Sequence, residues 1–411
     1  MRRLFFILLL CFPVVSSGQT LEEYLIVASE NNPGLKAAYN DYMAAMEQVP
    51  QVGALPDPEL GFGFFIRPMQ FPMGNQRADL QLMQMFPWFG TLRTRRDEAS
   101  KMALARFEVF QNAKNELHYQ VKNTWYELYQ LEEEIRFTNE NLEILKSFER
   151  LAMNRYRAGA SGMADVLRVK MQIKELEAQL ELLDDNKVPL RTEFNRYLHR
   201  DLEEPVSITD TLSVADLPVG WRTWADSMMQ HNPMLRMLDA EKDALEDRKR
   251  MARLEGRPMF GVGLNYMVFS PLTENGAAVG GHNMVMPMVK MSLPVYRRKY
   301  RAMANEADFG QKAVELRKED MQNELMTEWS RSVRDLENSE RKIRLYQEQE
   351  ALARQTLDIL LTSYASDGQD FEEVLRMQQQ LIDYQLKLVN ALVDQHATVA
   401  MLEMLAATGL D

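Results

Sequence analysis

The chain has 411 residues, of which 46% are hydrophobic and 26% are charged, and its formal net charge is −12 at pH 7. This length is enough for two or three ordinary domains. The acidic balance argues against nucleic acid as a partner, because proteins that bind phosphate backbones present an excess of Lys and Arg.

The first eighteen residues, MRRLFFILLLCFPVVSSG, have the pattern of a secretory signal peptide. Two arginines precede an apolar run, and small residues follow it. We expect residues 1–18 to be removed, which takes away two positive charges and no acid and leaves a net charge of −14. The only cysteine, Cys11, lies in this segment, so the mature chain is expected to have no disulfide. A lipid-modified Cys11 is the less favoured alternative, because leucines rather than small residues precede it.

After this segment, the chain carries the same series of elements twice. NNPGLKA at Asn31 returns as HNPMLRM at His231, and YRAGASGMADVLR at Tyr156 returns as YASDGQDFEEVLR at Tyr364. Self-similarity at a nearly constant offset indicates internal repeats. We predict a first repeat over 19–205 and a second over 206–411. Each has a short helix, an Asn-Pro helix start, two strands, a long helix, a corner and a returning helix.

Each repeat contains two short stretches with the period-two pattern of a β-strand. LGFGF at Leu60 and FGVGLNY at Phe260 alternate large apolar residues with Gly or Asn, a pattern that does not suit a helix. Loops over 68–77 and 270–283 are expected to join the members of each pair. Strands of about ten residues match membrane-spanning β-strands in length. The predicted strands cover about 59–67, 79–86, 259–269 and 285–293.

Four membrane strands from one chain cannot close a barrel. An open sheet edge in lipid leaves backbone N–H and C=O groups unpaired, at several kcal/mol each, and the smallest closed transmembrane barrels have ~8 strands. We therefore expect the chain to assemble with copies of itself, two copies giving eight strands and three giving twelve. The alternative is a soluble insert of four strands in a helical protein.

The long helices give the strongest signal. Between Thr91 and Tyr156 there is neither proline nor glycine, and apolar residues recur at steps of three and four. The second repeat shows the same from about 298 to 364, with Gly310 as its only glycine. At ~1.5 Å per residue, such a segment makes a rod on the order of 100 Å. Because a helix returns after each corner, we predict helical hairpins over about 91–196 and 298–408.

Together these features resemble the TolC-type outer-membrane efflux protein family. The resemblance rests on both Asn-Pro helix starts, both strand pairs and the two Tyr-x-x-x-Gly-like corners, each followed by an acid and Val-Leu, and it covers essentially the whole mature chain. It implies a mainly helical fold with membrane β-strands, in which three chains share one twelve-stranded barrel in the outer membrane of a Gram-negative bacterium. The helices would form a tunnel in the periplasm, with a periplasmic adaptor and an inner-membrane pump as partners.

The function implied by the resemblance is an exit duct that passively exports small molecules, drugs or metal ions, for a tripartite efflux system. Two alternatives stay open: the outer-membrane component of a type I protein secretion system, and a periplasmic coiled-coil scaffold that does not conduct. The sequence leaves open the cargo, the energy source of the pump and the resting state of the tip. We predict neither an enzyme nor a cofactor, since no phosphate-binding loop, nucleophile motif or metal-ligand spacing of histidines is found.

By resemblance, the two corners form the periplasmic tip, and Glu373 falls at an acidic position that narrows the pore. Three like charges around a threefold axis would attract cations. At the family's second acidic position the chain has Arg376, which can pair with Glu373 of a neighbouring copy, while Glu372 can replace the missing acid. The alternative is an exposed acidic turn. Tyr156 and Tyr364 end the long helices, where they either connect neighbouring hairpins or only pack.

Three corner residues are weaker candidates for adaptor docking. Gly159 and Gly368 more simply permit the turn, and Asp165 suits the first turn of a helix, where the dipole favours an acid.

Basic clusters follow the second strand of each pair, with RTRR in the first repeat and RRKYR in the second. The helix dipole disfavours cations at the start of a helix, so we expect phospholipid headgroups of the inner leaflet to bind these residues. A solvated run of charge is the alternative. The candidate headgroup ligands are Arg93, Arg95, Arg297 and Arg298.

Methionine is frequent, with 28 in the chain, and the run HNMVMPM at His282 is conspicuous. Thioethers are soft ligands suited to Cu(I) or Ag(I), and by resemblance some relatives serve metal-exporting pumps. The candidate metal ligands are Met284, Met286 and Met288. Methionine also fills irregular apolar surface, and this second interpretation is favoured because the run overlaps a predicted strand.

Overall fold

A computed structural model describes residues 19–208, 211–217, 220–274, 277–367 and 371–407. The predicted signal peptide and Gly368 lie outside them. The described part is mostly helical, with one four-stranded antiparallel sheet and a small two-stranded one. None of the described helices is both long and apolar enough to cross a bilayer. In chain order the elements are α1 (Leu21–Asn31), α2 (Pro33–Val52), β1 (Glu59–Phe71), β2 (Gly74–Phe86), α3 (Thr91–Arg157), α4 (Met163–Leu198), α5 (Trp224–His231), α6 (Pro233–Glu255), β3 (Met259–Ser270), β4 (Leu272–Glu274), β5 (Ala277–Val279), β6 (Met284–Ser292), α7 (Arg297–Asp367) and α8 (Phe371–Ala406).

Asparagine side chains cap the N-termini of two helices that occupy equivalent positions in the two repeats. The side-chain oxygen of Asn32 accepts a hydrogen bond from the backbone N–H of Leu35 at 3.0 Å, and that of Asn232 accepts one from Met234 at 3.0 Å. The proline after each asparagine is the first helical residue, where its missing N–H removes a donor that would have no intrahelical partner. The Asn-Pro dipeptide thus sets the start of both α2 and α6.

The residues group into two compact units, and each unit contains segments of both sequence repeats. The first unit runs up to Leu35, over Lys114–Ala225 and from Thr327 onward; the second comprises Lys36–Ala113 and Asp226–Met326. The helices α3 and α7 contribute their C-terminal parts to the first unit and their N-terminal parts to the second.

In the first unit, α3, α4, α7 and α8 pack their apolar faces into a common core. Burying each large side chain of this kind contributes about 1.5–3 kcal/mol. Polar contacts hold α8 beside α3: the Gln378 amide donates to the Asn141 side-chain oxygen at 3.2 Å, and Lys122 pairs with Glu403 at 2.7 Å. The buried apolar core includes Leu142, Leu145, Phe148, Ala152, Val166, Val169, Ile173, Leu176, Leu357, Tyr364, Phe371, Val374, Leu375 and Leu381.

In the second unit, charged side chains connect α6 to the N-terminal parts of α3 and α7. As the residue numbers of the paired side chains rise along α3 or α7, those of their partners fall along α6, so α6 runs antiparallel to both helices. Burial raises the pKa of Glu108, and the Arg236 cation partly offsets this effect. The pairs with α3 are Arg95–Glu255 at 2.8 Å, Lys101–Asp247 at 2.7 Å and Arg236–Glu108 at 3.0 Å; those with α7 are Lys249–Asp308, Lys242–Glu315 at 2.8 Å and Lys318–Asp239 at 2.5 Å.

The four-stranded sheet, also in the second unit, has the order β1-β2-β3-β6, with all neighbours antiparallel. The loop predicted at 68–77 is wrong, because β1 extends to Phe71 and β2 begins at Gly74. Past a register shift after Phe64, Met69 pairs with Gln76 and the ladder continues to the turn. Proline at position 68 lies in this irregular part of the ladder, where a missing N–H is tolerated.

The segment between β3 and β6 is also more ordered than the predicted loop over 270–283. It forms a short hairpin, in which Leu272 of β4 pairs with Val279 of β5. The backbone N–H of Gly281 donates to the carbonyl of Met73 at 2.8 Å, which connects this segment to the turn between β1 and β2. A Cβ on Gly281 would lie 2.8 Å from the Pro271 ring, so glycine is needed for this close approach.

Candidate functional site

The first corner, between α3 and α4, is a glycine turn. Gly159 has φ +72°, in the left-handed region, and its N–H donates to the carbonyl of Tyr156 at 3.0 Å. The next N–H, of Ala160, reaches back to Arg155 O at 2.9 Å. Both bonds satisfy carbonyls left over at a helix C-terminus. Asp165 lies in the first turn of α4, as predicted from the helix dipole.

The two corners meet in the first unit through an arginine that the sequence analysis did not single out. The Arg155 guanidinium lies 4.4 Å from the ring centroid of Tyr364 and also donates to the Tyr364 carbonyl. The Tyr364 ring in turn lies 4.8 Å from that of Phe371, at the start of α8. Burial raises the pKa of Tyr364, while Arg155 lowers it in part. One cation–π and hydrogen-bond contact therefore connects the two hairpins.

Tyr156 and Tyr364 occupy matching positions in the repeat but different environments. Tyr364 is 2% exposed, whereas Tyr156 is 44% exposed. Tyr364 contacts the other hairpin through Arg155. The sequence does contain a difference that could have indicated this: the residue before the tyrosine is Arg155 in the first repeat and Ser363 in the second.

The predicted gate residues lie in the first turns of α8, beside α4. Arg376 pairs with Glu373 of its own chain at 3.4 Å, as an i,i+3 pair in which the two side chains are 71% and 49% exposed. Such exposed pairs contribute little to stability. The pairing of Arg376 with a neighbouring copy stays a prediction.

A second missed residue, Arg168, connects α4 with α8. Its guanidinium lies 3.3 Å from the Glu372 carboxylate and 3.7 Å from that of Asp165. Arg168 is the counterpart of Arg376 in the VLR repeat, so the repeat itself carried the signal. A groove of about 770 Å³ runs beside this contact between α4 and α8. Asp165, a candidate for adaptor docking, therefore borders a charged contact between the two hairpins.

The sheet of the second unit has two faces of different chemistry. One face, named the apolar face, exposes Phe62 (65%), Leu264 (52%) and Val289 (82%) among other large side chains. The opposite face, named the methionine face, carries the strand glycines, several polar residues and most of the sheet's methionines. Residues that are directly paired across neighbouring strands lie on the same face, so the strand pairing assigns each residue to one of the two faces. In the regular part of the ladder the apolar face comprises Leu60, Phe62, Phe64, Ala78, Leu80, Leu82, Gln84, Phe86, Phe260, Val262, Leu264, Tyr266, Val268, Val285, Pro287, Val289 and Met291.

A cavity of about 910 Å³ lies beside the ends of β3 and β6 and the start of α7. Four arginines line it, and no acidic residue is among the described residues of its lining. Two of the predicted headgroup ligands are paired instead: Arg95 with Glu255 at 2.8 Å and Arg93 with Asp97 at 3.9 Å. Arg297 lines the cavity and Arg298 does not. The lining arginines are Arg253, Arg257, Arg297 and Arg301.

The candidate metal ligands Met284, Met286 and Met288 lie on β6, all on the methionine face. Elsewhere, no group of three or more His, Cys, Asp or Glu with metal-site geometry is found among the described residues.

A family model described as outer membrane efflux protein matches residues 26–188 of the chain. No curated protein sequence matches the chain. Solved structures share its fold at low identity. The outer-membrane channel OprN is 16% identical, with 95% of this chain and 90% of that chain covered and a TM-score of 0.78. CusC, described for the conformational changes that accompany its folding and transmembrane channel formation, is 14% identical, with 96% and 93% covered and a TM-score of 0.79.

The open state of the MtrE outer membrane channel from Neisseria gonorrhoeae is 16% identical, with 95% of this chain and 89% of that chain covered and a TM-score of 0.75. The predicted resemblance is therefore confirmed. The chain matches the outer membrane efflux protein family in sequence over 26–188, and nearly all of it has the fold of these outer-membrane channels.

Proposed function

We propose that the protein is the outer-membrane exit duct of a tripartite efflux system. The observation that carries the proposal is the sheet, whose strands of 9–13 residues expose large apolar side chains on one face and place polar residues and glycine on the other. Strands of ~9–11 residues span a bilayer when tilted. This alternation is that of a strand with lipid on one side and water on the other.

The sheet edges supply the argument for assembly. Among the described residues, β1 and β6 each pair with one strand of the four-stranded sheet only, and backbone groups along an outer edge in lipid need partners. Another copy of the same sheet can supply these partners, because it has the same two outer strands. We propose a homotrimer in which β1 of one copy pairs with β6 of the next, so that three sheets close a twelve-stranded barrel. The helices then form the periplasmic tunnel.

The proposed partners follow from the class of protein. A periplasmic adaptor would bind the corners, near Asp165 and Gly159, and an inner-membrane pump would supply the energy, since the duct itself is passive. The proposed cargo is a small molecule, a drug or a metal ion. A secretion system is the alternative cargo class. The exposed apolar face argues against a scaffold that stays in water, because an apolar patch of this size would favour aggregation.

Outer-membrane lipid is the proposed ligand of the arginine-lined cavity. Guanidinium groups bind phosphate in a bidentate manner, and the cavity adjoins the ends of the strands that would span the membrane. Changing Arg253 and Arg257 to Gln is expected to reduce binding of vesicles that contain phosphatidylglycerol, while changing the paired Arg93 and Arg95 to Gln has a smaller effect. Equal effects of both pairs would contradict the assignment.

The gate is proposed at the start of α8, where three copies of Glu373 would surround the pore axis. Like charges close together around a pore attract cations. The double variant Glu373→Ala with Arg376→Ala is expected to change single-channel conductance and its block by cations in planar bilayers. Unchanged conductance and block would rule out the gate.

Two substitutions on β3 test the duct itself. Val262→Arg puts a charge on the apolar face, which costs about 2–4 kcal/mol at the middle of a bilayer, whereas Asn265→Arg puts the same charge on the opposite face. We expect the wild type and Asn265→Arg to fractionate with the outer membrane, to run as an oligomer without boiling and to conduct. Val262→Arg should lose all three properties.

A wild-type protein found in the soluble periplasmic fraction would overturn the duct and favour the scaffold. Loss of a secreted protein from a deletion strain, without increased sensitivity to drugs or metals, would favour the secretion system.

A further inference from the structure

Methionine is distributed very unevenly between the two faces of the sheet. The regular ladder contains eight methionines, and seven of them lie on one face. The apolar face, where a filler of apolar surface belongs, has only Met291. The seven on the methionine face are Met83, Met85, Met259, Met267, Met284, Met286 and Met288.

The same face is otherwise polar. It carries acids, amides and a lysine in addition to the thioethers, and its remaining positions in β1 and β3 are glycines. Apolar filling therefore does not explain the methionines, because their neighbours on this face are groups that prefer water. The polar neighbours are Glu59, Asp79, Gln81, Asn265, Lys290 and Ser292, and the glycines are Gly61, Gly63, Gly261 and Gly263.

The glycines bring thioether sulfurs together. A Cβ on Gly261 would lie 2.5 Å from the Met85 sulfur and 3.1 Å from the Met83 sulfur, so the two sulfurs are no farther apart than the sum of these distances. A Cβ on Gly263 would also lie 3.1 Å from the Met83 sulfur. Met83 is only 3% exposed. The sulfurs of Met83 and Met85 thus lie close together, in a space that a side chain at Gly261 or Gly263 would fill.

Further thioethers follow along the strands. Met267 on β3 is paired with Met284 on β6, and Asp79 on β2 is paired with Met267 from the other side. One row across three strands therefore holds two thioethers beside a carboxylate. Met286 and Met288 continue on the same face of β6, at two-residue steps of about 7 Å. The result is a series of soft ligands along the face rather than a single closed site.

We propose that the methionine face binds Cu(I) or Ag(I). Thioether sulfur is a soft ligand that selects such cations over Mg²⁺, Ca²⁺ or Mn²⁺, and the described residues offer no cluster of harder ligands that would compete. If the face lines the lumen, as the proposed duct requires, soft cations are the cargo class that it serves. Several weak sites in series suit passage, because an ion must leave each site as well as enter it.

The test uses full-length protein purified in detergent and chloride-free buffer, with Ag(I) as the probe because, unlike Cu(I), it is not oxidised by air. Binding is measured by equilibrium dialysis and elemental analysis. The sheet variant changes Met83, Met85, Met267, Met284, Met286 and Met288 to Leu, a replacement that conserves volume and is usually tolerated. The helix variant makes the same change at six exposed helical methionines, Met43, Met46, Met102, Met163, Met171 and Met326.

We expect the wild type and the helix variant to bind at least one Ag(I) per chain, and the sheet variant to bind at least ~10-fold more weakly, which corresponds to about 1.4 kcal/mol. Zn²⁺ is not expected to compete, since it prefers thiolate, imidazole and carboxylate ligands. Absence of Ag(I) binding to the wild type, or equal binding by both variants, would overturn the proposal.

A second measurement needs no variant. Peroxide converts exposed methionine to its sulfoxide, and mass spectrometry reads the rate for each peptide. Bound Ag(I) should slow oxidation of the peptides of β2, β3 and β6 relative to those of the helices. Equal rates with and without Ag(I) would contradict the site, even if the sheet variant failed to fold.

The proposed duct and the proposed metal site can be refuted independently of each other. A protein that conducts and does not bind Ag(I) removes this inference alone. A protein that binds Ag(I) through the sheet methionines without reaching the outer membrane removes the proposed function and keeps the site.

Discussion

His118 on α3 is a histidine held in its neutral form. Its ring nitrogen Nε2 lies 2.7 Å from the Ser29 hydroxyl of α1. Burial lowers the pKa of His118 to about 4, and the charges of Lys114 and Lys122 act in the same direction. A protonated imidazole here would lose hydration and face two cations, so the folded state favours the uncharged ring.

This shift predicts a loss of stability in mild acid. The unfolded histidine binds a proton near pH 6.5 and the folded one near pH 4, so the contribution is fully present above pH 6.5 and is lost as the pH falls towards 4. After allowance for solvent screening, it amounts to about 1–2 kcal/mol. In an NMR titration of labelled histidines, the His118 signal, identified by its loss in His118→Gln, should have its midpoint far below 6. A midpoint near 6.5 would contradict the burial argument.

Arg155 is the residue on which the contact between the corners depends. It combines a planar cation over the Tyr364 ring with a hydrogen bond to the backbone of the other hairpin. Arg155→Ala is therefore expected to weaken the contact between the two corners by about 1–3 kcal/mol. Faster hydrogen exchange of the peptides around residues 155 and 364 would register the change.

Arg157, an exposed arginine two residues later, provides the matched control. Arg157→Ala should leave exchange at the corners unchanged. Equal exchange in the two variants would mean that the contact of Arg155 with Tyr364 has no energetic importance.

At the scale of the elements, the strand glycines are not equivalent. A Cβ on Gly263 would lie 2.5 Å from the backbone carbonyl oxygen of Leu82, which cannot move without breaking the ladder. A Cβ on Gly61 would lie 3.8 Å from the Gln81 Cβ and 4.0 Å from the Gln81 carbonyl oxygen, both ordinary contact distances. Both glycines lie on the methionine face. The need for glycine therefore comes from the neighbouring strand, and it is greatest where β2 and β3 approach closely.

The two glycines form a matched pair of substitutions. Gly263→Ala should destabilise the sheet by about 1–3 kcal/mol through overpacking. It should also lower the yield of oligomer that stays assembled when unboiled samples are run on a gel. Gly61→Ala should give the wild-type yield, since alanine fits there without strain. Similar losses in both variants would show that strand propensity, rather than the contact with Leu82, determines the effect.

At the scale of the whole molecule, the proposed ring makes a prediction about cross-links between copies. Phe62 on β1 and Val289 on β6 both belong to the apolar face and lie on opposite edges of the sheet. If β1 of one copy pairs with β6 of the next, Phe62→Cys together with Val289→Cys should react with a bis-maleimide to give covalent dimers and trimers. Nothing larger should form, because a closed ring has no free edge.

The controls for this experiment are the single cysteine variants. With the signal peptide removed as predicted, the mature chain has no other cysteine, so either variant alone should stay monomeric on a denaturing gel. A ladder that continues beyond three chains would indicate an open assembly, and cross-linking in a single variant would place like edges together.

The sequence by itself determined the long helices, the four main strands and their order, although it missed the β4–β5 hairpin. Asn32 and Asn232 begin helices through their own side chains, the long helices follow from apolar residues at steps of three and four, and glycine alternating with large apolar residues indicates strands at Leu60 and Phe260. These signals are local, since each depends on residues within one or two turns or on the two faces of one strand. The resemblance to the efflux protein family needed only this order.

Tertiary structure decided which distant residues meet. The row of Asp79, Met267 and Met284 depends on a register between strands far apart in the chain, and no strand carries that register alone. Tyr364 is buried against Arg155 of the other hairpin and against Phe371, whereas Tyr156, its counterpart in the repeat, is exposed. The physical reason is the same in each case: local propensity acts through the bonds and caps of neighbouring residues, whereas packing is a free energy shared by segments that only the folded chain brings together.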